Sequence, residues 1–292
     1  MVAHRLVVPL SVLLGLGAAS PAGADALVTI SASRDGTTVQ VTGSAVLPDG
    51  PLASVLQDAG GDVNVAGAQA AGDLVGVSLA TQGDGDLVVR WSLAALSAEP
   101  NGTLGLARLR FRAGGATYEV GAARNDYSAA STDPGGWLIR CGTTSCGWLP
   151  LPVAEGTTLL SRDVGVTLDS NADYIQATVP VQALAGMLSP GSVVGPLTGS
   201  GTEASTSAGQ LEASGELDTA EMTGTYVYGL TVLLGSGAPG ADPATIDYTT
   251  PATVDPDNVR FSGSLEVAPG QAVFAMACLG AGNCAYGQTG EV

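Results

Sequence analysis

Four cysteines are the residues whose spacing most directly suggests chemistry. They form two local pairs, with four residues between Cys141 and Cys146 and five between Cys278 and Cys284. Such pairs can form disulfides, can supply the four thiolates of a tetrahedral zinc site, or can act as redox couples. Because zinc-binding pairs more often enclose only two residues, the compartment in which the chain folds decides between these chemistries.

The N-terminus has the three parts of a secretory signal peptide. A positively charged start is followed by an apolar core over residues 6–19, and residues 22–24 form a small-x-small cleavage site. We therefore expect residues 1–24 to be removed, and the mature protein to begin at Asp25 without a membrane span. It would be secreted into the extracellular medium or associated with the cell envelope. In that oxidising environment both cysteine pairs are predicted to be structural disulfides.

The basic residues exclude several classes of function. His4 is the only histidine, and all 10 basic residues are arginines. A mature chain without His or Lys has no imidazole base, no His metal ligand and no Schiff-base lysine. The net charge of −17 also repels nucleic acids and anionic lipid surfaces. We therefore predict no catalytic residue and no nucleic-acid partner, which leaves an extracellular glycan or another surface protein as a partner.

Period-two alternation between turn residues predicts an all-β chain, and no long segment has a helical period. An Asp-Gly turn at 35–36, a three-residue loop at 83–85 and a Gly-Gly turn at 114–115 would each close a hairpin with an apolar face. The last of these opposes Arg110 to Glu119. The predicted fold is an immunoglobulin-like or jelly-roll-type β-sandwich.

Two domains are predicted in the mature chain. Residues 25–228 would form the sandwich, including the N-terminal hairpin, and residues 229–292 a small β module with a local disulfide. The stretch 73–96 resembles 163–184, which favours similar hairpins at two places in one sandwich over two duplicated domains. Residues 195–216 are poor in apolar side chains and predict a long loop or an irregular edge.

The order of these features resembles a family. DAGGDVN (58–64), DLVGVSL (73–79), FRAGGATYEVGAARND (111–126), the first cysteine hairpin and DYIQATVPVQAL (173–184) follow one another. This order is similar to that of exported proteins of GC-rich bacteria whose sandwich looks like the DOMON and family-9 carbohydrate-binding group. The resemblance covers roughly 50–228 and implies a β-sandwich that binds haem or sugar. Haem-binding members use His and Met axial ligands, and the mature chain has no His.

Two groups of side chains could bind a ligand. Trp137 and Trp148 flank the first cysteine pair and could form an aromatic platform for a sugar ring, or could be buried in the core. Arg108, Arg110 and Arg112 would project from one face of a strand. They could bind the carboxylate or sulfate of an acidic glycan, or form a solvated face paired with acidic neighbours.

Calcium is the metal that one group of acidic residues suggests. Asp169, Asn171 and Asp173 have the first three ligand positions of a calcium loop, but its sixth and twelfth positions are Tyr174 and Pro180. The same residues also predict an ordinary hairpin turn. We therefore expect no bound cofactor.

These observations predict a secreted, non-catalytic β-sandwich protein with a binding or structural role. The first alternative is a carbohydrate-binding module that uses the tryptophans and the arginine stripe. The second is a hydrolase that depends on carboxylates alone.

Overall fold

A computed structural model describes most of the chain beyond the predicted signal peptide. The described residues are 26–58, 60, 73–96, 104–123, 135–142, 156–195, 203–208, 215–221, 224–280 and 283–292. Only the backbone is described for 104–106, 203–208 and 215–221. The signal peptide predicted over 1–24 lies outside these residues and stays a prediction.

The chain is all-β, as predicted. The strands of its first half are β1 Leu27–Asp35, β2 Thr38–Val46, β3 Ala53–Gln57, β4 Leu74–Thr81, β5 Leu87–Leu93, β6 Leu104–Ala113, β7 Ala116–Ala123 and β8 Gly135–Arg140. The middle of the chain adds β9 Thr158–Ser161, β10 Gly165–Asp169, β11 Tyr174–Val179, β12 Val193–Val194, β13 Glu203–Ala208, β14 Gly215–Glu221 and β15 Tyr226–Val227. The last strands are β16 Leu230–Gly237, β17 Thr250–Pro251, β18 Thr253–Val254, β19 Arg260–Glu266, β20 Ala272–Leu279 and β21 Asn283–Glu291.

Helices contribute little to the described part of the chain. One four-residue α-helix, α1 (Val181–Leu184), follows β11, and a 3-10 helix covers Pro243–Thr245. No helix in the described ranges is long and apolar enough to cross a membrane.

The chain divides into two compact units. Unit 1 contains residues up to Pro51 together with Gln82–Gly85 and Gly229–Val292. Unit 2 contains Leu52–Thr81 and Asp86–Tyr228.

Unit 2 is built from two main antiparallel sheets that enclose one core. One sheet has the order β10-β11-β5-β4-β3, the other β14-β13-β6-β7-β8-β9, and β12 and β15 form a short ribbon. Alternate residues of each sheet face this core, among them Leu79 and Ile175 from the first sheet and Leu109 from the second. The Trp91 indole of the first sheet donates a hydrogen bond to the Arg108 carbonyl of the second, at 3.0 Å. The unit is therefore a β-sandwich.

Unit 1 also has two antiparallel sheets around a core of its own. Their orders are β1-β2-β19-β18 and β17-β16-β20-β21, and the apolar residues between them include Val41, Val232 and Phe261. The Arg34 guanidinium donates to the carbonyls of Val267 and Val292, at 2.9 and 2.8 Å. These bonds connect the first hairpin to the last segments of the chain.

The N-terminal hairpin lies in a different unit from the one predicted. The prediction placed it in the 25–228 sandwich, whereas β2 pairs with β19, with Thr42 opposite Ser262. The predicted boundary at 228 coincides with the start of the last segment of unit 1. Residues 229–292 therefore do not form a module alone, because β1 and β2 complete their first sheet.

Two of the three predicted hairpin registers agree with the structure. Arg110 opposes Glu119 across the Gly-Gly turn, and the loop at 83–85 sets Leu79 opposite Val89. In the first hairpin the two turn residues are 36–37, one position later than predicted, but the same residues face the core. The prediction of which residues face the core still holds. When the turn moves by one position, each residue opposes a residue two positions further along the other strand, and that residue lies on the same face.

The structure also shows what the two similar stretches and the apolar-poor stretch 195–216 form. The similar stretches 73–96 and 163–184 form the hairpins β4–β5 and β10–β11 of one sheet, where β5 and β11 are neighbours. The similarity thus reflects two hairpins of one sandwich, as predicted. The stretch 195–216, predicted to be a loop or irregular edge, contains β13 and the start of β14, which end the six-stranded sheet.

Candidate functional site

The arginine stripe lies on the face of β6 that points away from the unit 2 core. Ala107, Leu109 and Phe111 face the core, so the alternation places Arg108, Arg110 and Arg112 on the other face. Their environments differ: Arg108 is buried, Arg110 is partly buried and Arg112 is exposed.

Glu119 on β7 neutralises the first two arginines. Its Oε2 accepts a hydrogen bond from Arg110 Nε at 2.8 Å and lies 3.8 Å from Arg108 Nη1. Its Oε1 accepts a hydrogen bond from the Trp137 indole N–H at 3.3 Å. Glu119 is 1 % exposed, so this group of four side chains, the Glu119 cluster, is a buried ion-pair network. Arg108 and Arg110 are therefore not available to an acidic glycan in this conformation.

Trp137 is not an exposed sugar platform. It is 1 % exposed, and its ring lies directly on Gly121, where a Cβ atom would overlap the indole. The platform prediction is wrong for Trp137 because this part of the outward sheet face is covered, and the indole N–H has a buried acceptor. Trp148, the second predicted platform residue, lies outside the described residues.

The calcium candidates form a hairpin turn. Asp169 Oδ1 accepts hydrogen bonds from the backbone N–H groups of Asn171 and Ala172, at 2.9 and 3.1 Å. Asp173 has a φ of 51° and its Oδ1 accepts from Leu96 N at 2.7 Å. These carboxylate oxygens accept hydrogen bonds from backbone N–H groups. This agrees with the alternative prediction, in which the residues form an ordinary hairpin turn. Across the described ranges, no three His, Cys, Asp or Glu side chains form a group that could hold a metal.

The second predicted disulfide is confirmed. Cys278 on β20 lies directly opposite Cys284 on β21, and their sulfur atoms are bonded. Sulfur atoms bonded in this way are not thiolates available to a zinc ion. Cys141 follows β8, and its predicted partner Cys146 lies outside the described residues, so the first pair stays a prediction.

Carboxylates near arginine in unit 1 also serve a turn. Asp257 Oδ1 accepts from the backbone N–H of Arg260 at 3.0 Å, and its Oδ2 accepts from Arg260 Nε at 2.6 Å. These bonds, the backbone one first, hold the pKa of Asp257 below its ordinary value. Such a carboxyl is ionised near neutrality and caps the turn before β19.

Arg112 lines an open cavity of unit 2. The cavity measures 310 Å³, and its lining consists of Arg112, Ala113, Gly114, Gly115, Val193, Gly195 and Thr225. The Gly-Gly turn forms part of this cavity. Both of its glycines have positive φ, 55° and 83°, as a tight two-residue hairpin requires. Arg112 N also donates to Gly195 O at 3.4 Å, which places β6 beside the segment after β12.

An uncharged row of side chains crosses the outer face of one sheet in unit 1. Register sets Pro251 opposite Leu233, Leu233 opposite Met276, and Met276 opposite Tyr286, so the four lie side by side across β17, β16, β20 and β21. Their neighbours in sequence face the core, which places the row on the opposite face. Pro251 is exposed and the other three are half-buried. We name these four residues the apolar row.

Tyr248 extends the apolar row beyond its edge strand. Its ring centroid lies 5.9 Å from that of Tyr286, and its hydroxyl donates to the Pro243 carbonyl at 3.1 Å. Burial raises the pKa of Tyr248 to about 12, with smaller contributions from Tyr286 and Asp242. Tyr248 is therefore a neutral side chain held against the row.

The sequence analysis missed the apolar row. A signal was present, because residues 272–279 read AVFAMACL and are apolar on both faces of the strand. A strand with one solvated face alternates apolar and polar residues, so this run indicates a second covered or binding face.

The comparisons with known proteins add no relative. No protein-family model matches the chain, and no curated protein or solved structure shows significant similarity to it. The class of the protein is therefore defined by its fold alone, as an all-β chain with two sandwich units.

Proposed function

We propose that the chain is a secreted, non-catalytic protein that acts by binding at the cell surface or in the extracellular medium. The apolar row of unit 1 is the proposed binding surface. It is the observation that carries the proposal, because a chain with a net charge of −17 presents there four adjacent uncharged side chains.

The composition of the row supports binding over a purely structural role. Tyr and Met are enriched at the centres of interfaces, where a large apolar side chain is desolvated and charged residues are depleted. The sheet keeps Met276 and Tyr286 directly opposite each other, and the hydroxyl bond of Tyr248 holds its ring in place. A surface fixed in this way loses little conformational entropy when a ligand binds.

Secretion is supported by the N-terminal sequence and by one covalent bond. Residues 1–24 have the parts of a signal peptide, and the Cys278–Cys284 disulfide is of a kind that persists in oxidising compartments. N-terminal sequencing of the protein recovered from culture medium should give Asp25 as the first residue. Recovery of the full-length chain with reduced thiols would contradict secretion.

A glycan is the ligand that the tyrosine pair favours. The C–H faces of a pyranose ring stack on aromatic rings, and its hydroxyl groups bond to polar groups at the rim. The Tyr248 and Tyr286 rings are neighbours, with centroids 5.9 Å apart and planes inclined by 35°. This is the carbohydrate-binding alternative of the sequence analysis, moved from the tryptophans of unit 2 to the tyrosines of unit 1.

The test is a glycan-array screen of the mature protein, with and without calcium. Binding of a neutral glycan should be lost in Tyr286→Ser and kept in Tyr174→Ser, a matched half-buried tyrosine of unit 2. Absence of signal from every glycan would contradict the glycan assignment.

Binding to isolated cell-envelope material by the labelled protein tests the broader proposal. If Tyr286→Ser and Met276→Ser bind this material as the unmodified protein does, the apolar row is not the binding surface.

A further inference from the structure

The Arg112 cavity of unit 2 is a second surface that could hold a ligand. Small-molecule sites have volumes of about 300 to 1,000 Å³ and contain a few placed polar groups. The Arg112 cavity is open and, at 310 Å³, lies at the lower end of this range. Among the described residues of its lining, Arg112 is the charged one, and the others are small or apolar.

Several arginines of the described residues bond to an acidic or amide side chain of the same part of the chain, whereas Arg112 does not. Arg108 and Arg110 share Glu119, Arg260 pairs with two aspartates, and Arg90 bonds to Gln176. Among the described residues, none forms an ion pair with Arg112, which is exposed on the same strand face. The two oxygens of Glu119 contact Arg108, Arg110 and Trp137.

An apolar surface borders this guanidinium. Val193 lines the cavity and is 56 % exposed, and Val227, which is 41 % exposed, lies directly opposite it on the β12–β15 ribbon. Val194 and Tyr226, the next pair, are buried in the core, so the two exposed valines occupy the outward face of a rigid ribbon. Two exposed aliphatic side chains beside one cation match a ligand that has an anionic end and an apolar body.

We propose that the Arg112 cavity binds a small monocarboxylate with a short hydrocarbon chain. The carboxylate pairs with the Arg112 guanidinium, whose planar donors fit two carboxylate oxygens, and the hydrocarbon chain covers Val193 and Val227. The site lies in a different unit from the apolar row and does not depend on the function proposed for it.

Hexanoate is a suitable probe, with acetate and hexanol as its separated parts. Calorimetric titration of the mature protein should give hexanoate a dissociation constant about tenfold lower than that of either control, because each control lacks one of the two contacts. Arg112→Gln should weaken hexanoate binding about tenfold and leave hexanol binding unchanged. Val193→Ser should weaken hexanoate and hexanol binding alike.

Arg162→Gln is the matched control, since Arg162 is another exposed arginine of unit 2. It should bind hexanoate as the unmodified protein does, and all three variants should keep the unfolding midpoint because the substituted side chains are exposed. Equal binding of hexanoate and hexanol, equal effects of Arg112→Gln and Arg162→Gln, or no binding of hexanoate would overturn the proposal.

Discussion

At the scale of single residues, several polar side chains of the described residues fix backbone geometry or neutralise one another. Asp169 and Asp257 accept hydrogen bonds from N–H groups of their own turns, and Glu119 accepts them from groups on both neighbouring strands. These side chains have structural roles. Arg112 and the tyrosines of unit 1 are the side chains on which the binding proposals rest.

Substitution of Glu119 by Gln tests the buried ion-pair network. The change removes a buried carboxylate that pairs with Arg108 and Arg110, which should lower the free energy of unfolding by about 3 kcal/mol. Urea unfolding of the mature protein measures this loss. Arg112→Gln, on the same strand face but exposed, should change it by less than about 0.5 kcal/mol. Similar small effects of both changes would show that the cluster contributes little.

Asn258 is a buried residue with positive φ in the turn before β19. Substitutions at this position test how much its conformation and its hydrogen bond contribute to stability. Its φ is 57°, and its Oδ1 accepts a hydrogen bond from Leu230 N at 2.6 Å. Asn258→Ala should cost about 2 kcal/mol, because it leaves a buried N–H without this acceptor and forces Ala into the left-handed region. Asn258→Gly loses only the acceptor and should be about 1 kcal/mol more stable than Asn258→Ala. Equal stability of the two variants in urea unfolding would exclude backbone strain.

We expect ionisation of the Tyr248 phenol to lower the stability of the folded protein at alkaline pH. Its pKa is about 12 in the folded protein and about 10 in an unfolded chain, so ionisation favours the unfolded state first. The stability from this group is complete below pH 10 and is lost as the pH rises towards 12. Urea unfolding of Tyr248→Phe should therefore show a smaller decrease between pH 8 and pH 11 than the unmodified protein. An identical decrease would refute the role of Tyr248.

At the scale of elements, the chain is built largely from hairpins, and the second disulfide connects the two strands of one hairpin. Cys278 and Cys284 close a short loop, with a sequence separation of 6, between β20 and β21. Replacement of both by Ser should destabilise unit 1 by about 2 kcal/mol in the chain-entropy model. The unfolding midpoint of the double variant, compared with that of the oxidised unmodified protein, measures this effect, and the reduced unmodified protein is the control for the change of Cys to Ser. A midpoint equal to that of the oxidised protein would show that the bond adds no stability.

The elements also show how far the sequence alone could lead. The alternation of residues along the sequence was sufficient to predict which residues oppose each other in a local hairpin, such as Arg110 and Glu119. The register of a hairpin depends only on its turn and its two strands. The burial of Trp137 was not predictable in this way. The covering of a sheet's outer face depends on segments distant in sequence, and local alternation carries no information about them. The pairing of β2 with β19 was missed for the same reason.

At the scale of the whole molecule, unit 1 is assembled from both ends of the described chain. A chain that ends at Tyr228 should retain β1 and β2 without β19, and would expose the apolar face that contains Val39 and Val41. We expect limited proteolysis to cleave this truncated chain within residues 27–46, whereas the described strands of unit 2, such as β4, β5, β6 and β7, resist cleavage. Protection of the first hairpin in the truncated chain would show that it folds without its partner strand.

The pairing of β2 with β19 has a consequence for the timing of assembly. The first hairpin leaves the ribosome early, but β19, the strand beside it, is synthesised only after β3 to β18. A contact between such distant segments carries a large loop-closure entropy and forms slowly. Unit 2, whose strands follow one another in nearly unbroken order, can mature first. In refolding after dilution from denaturant, the slow phase should accordingly belong to the unit that carries the apolar row.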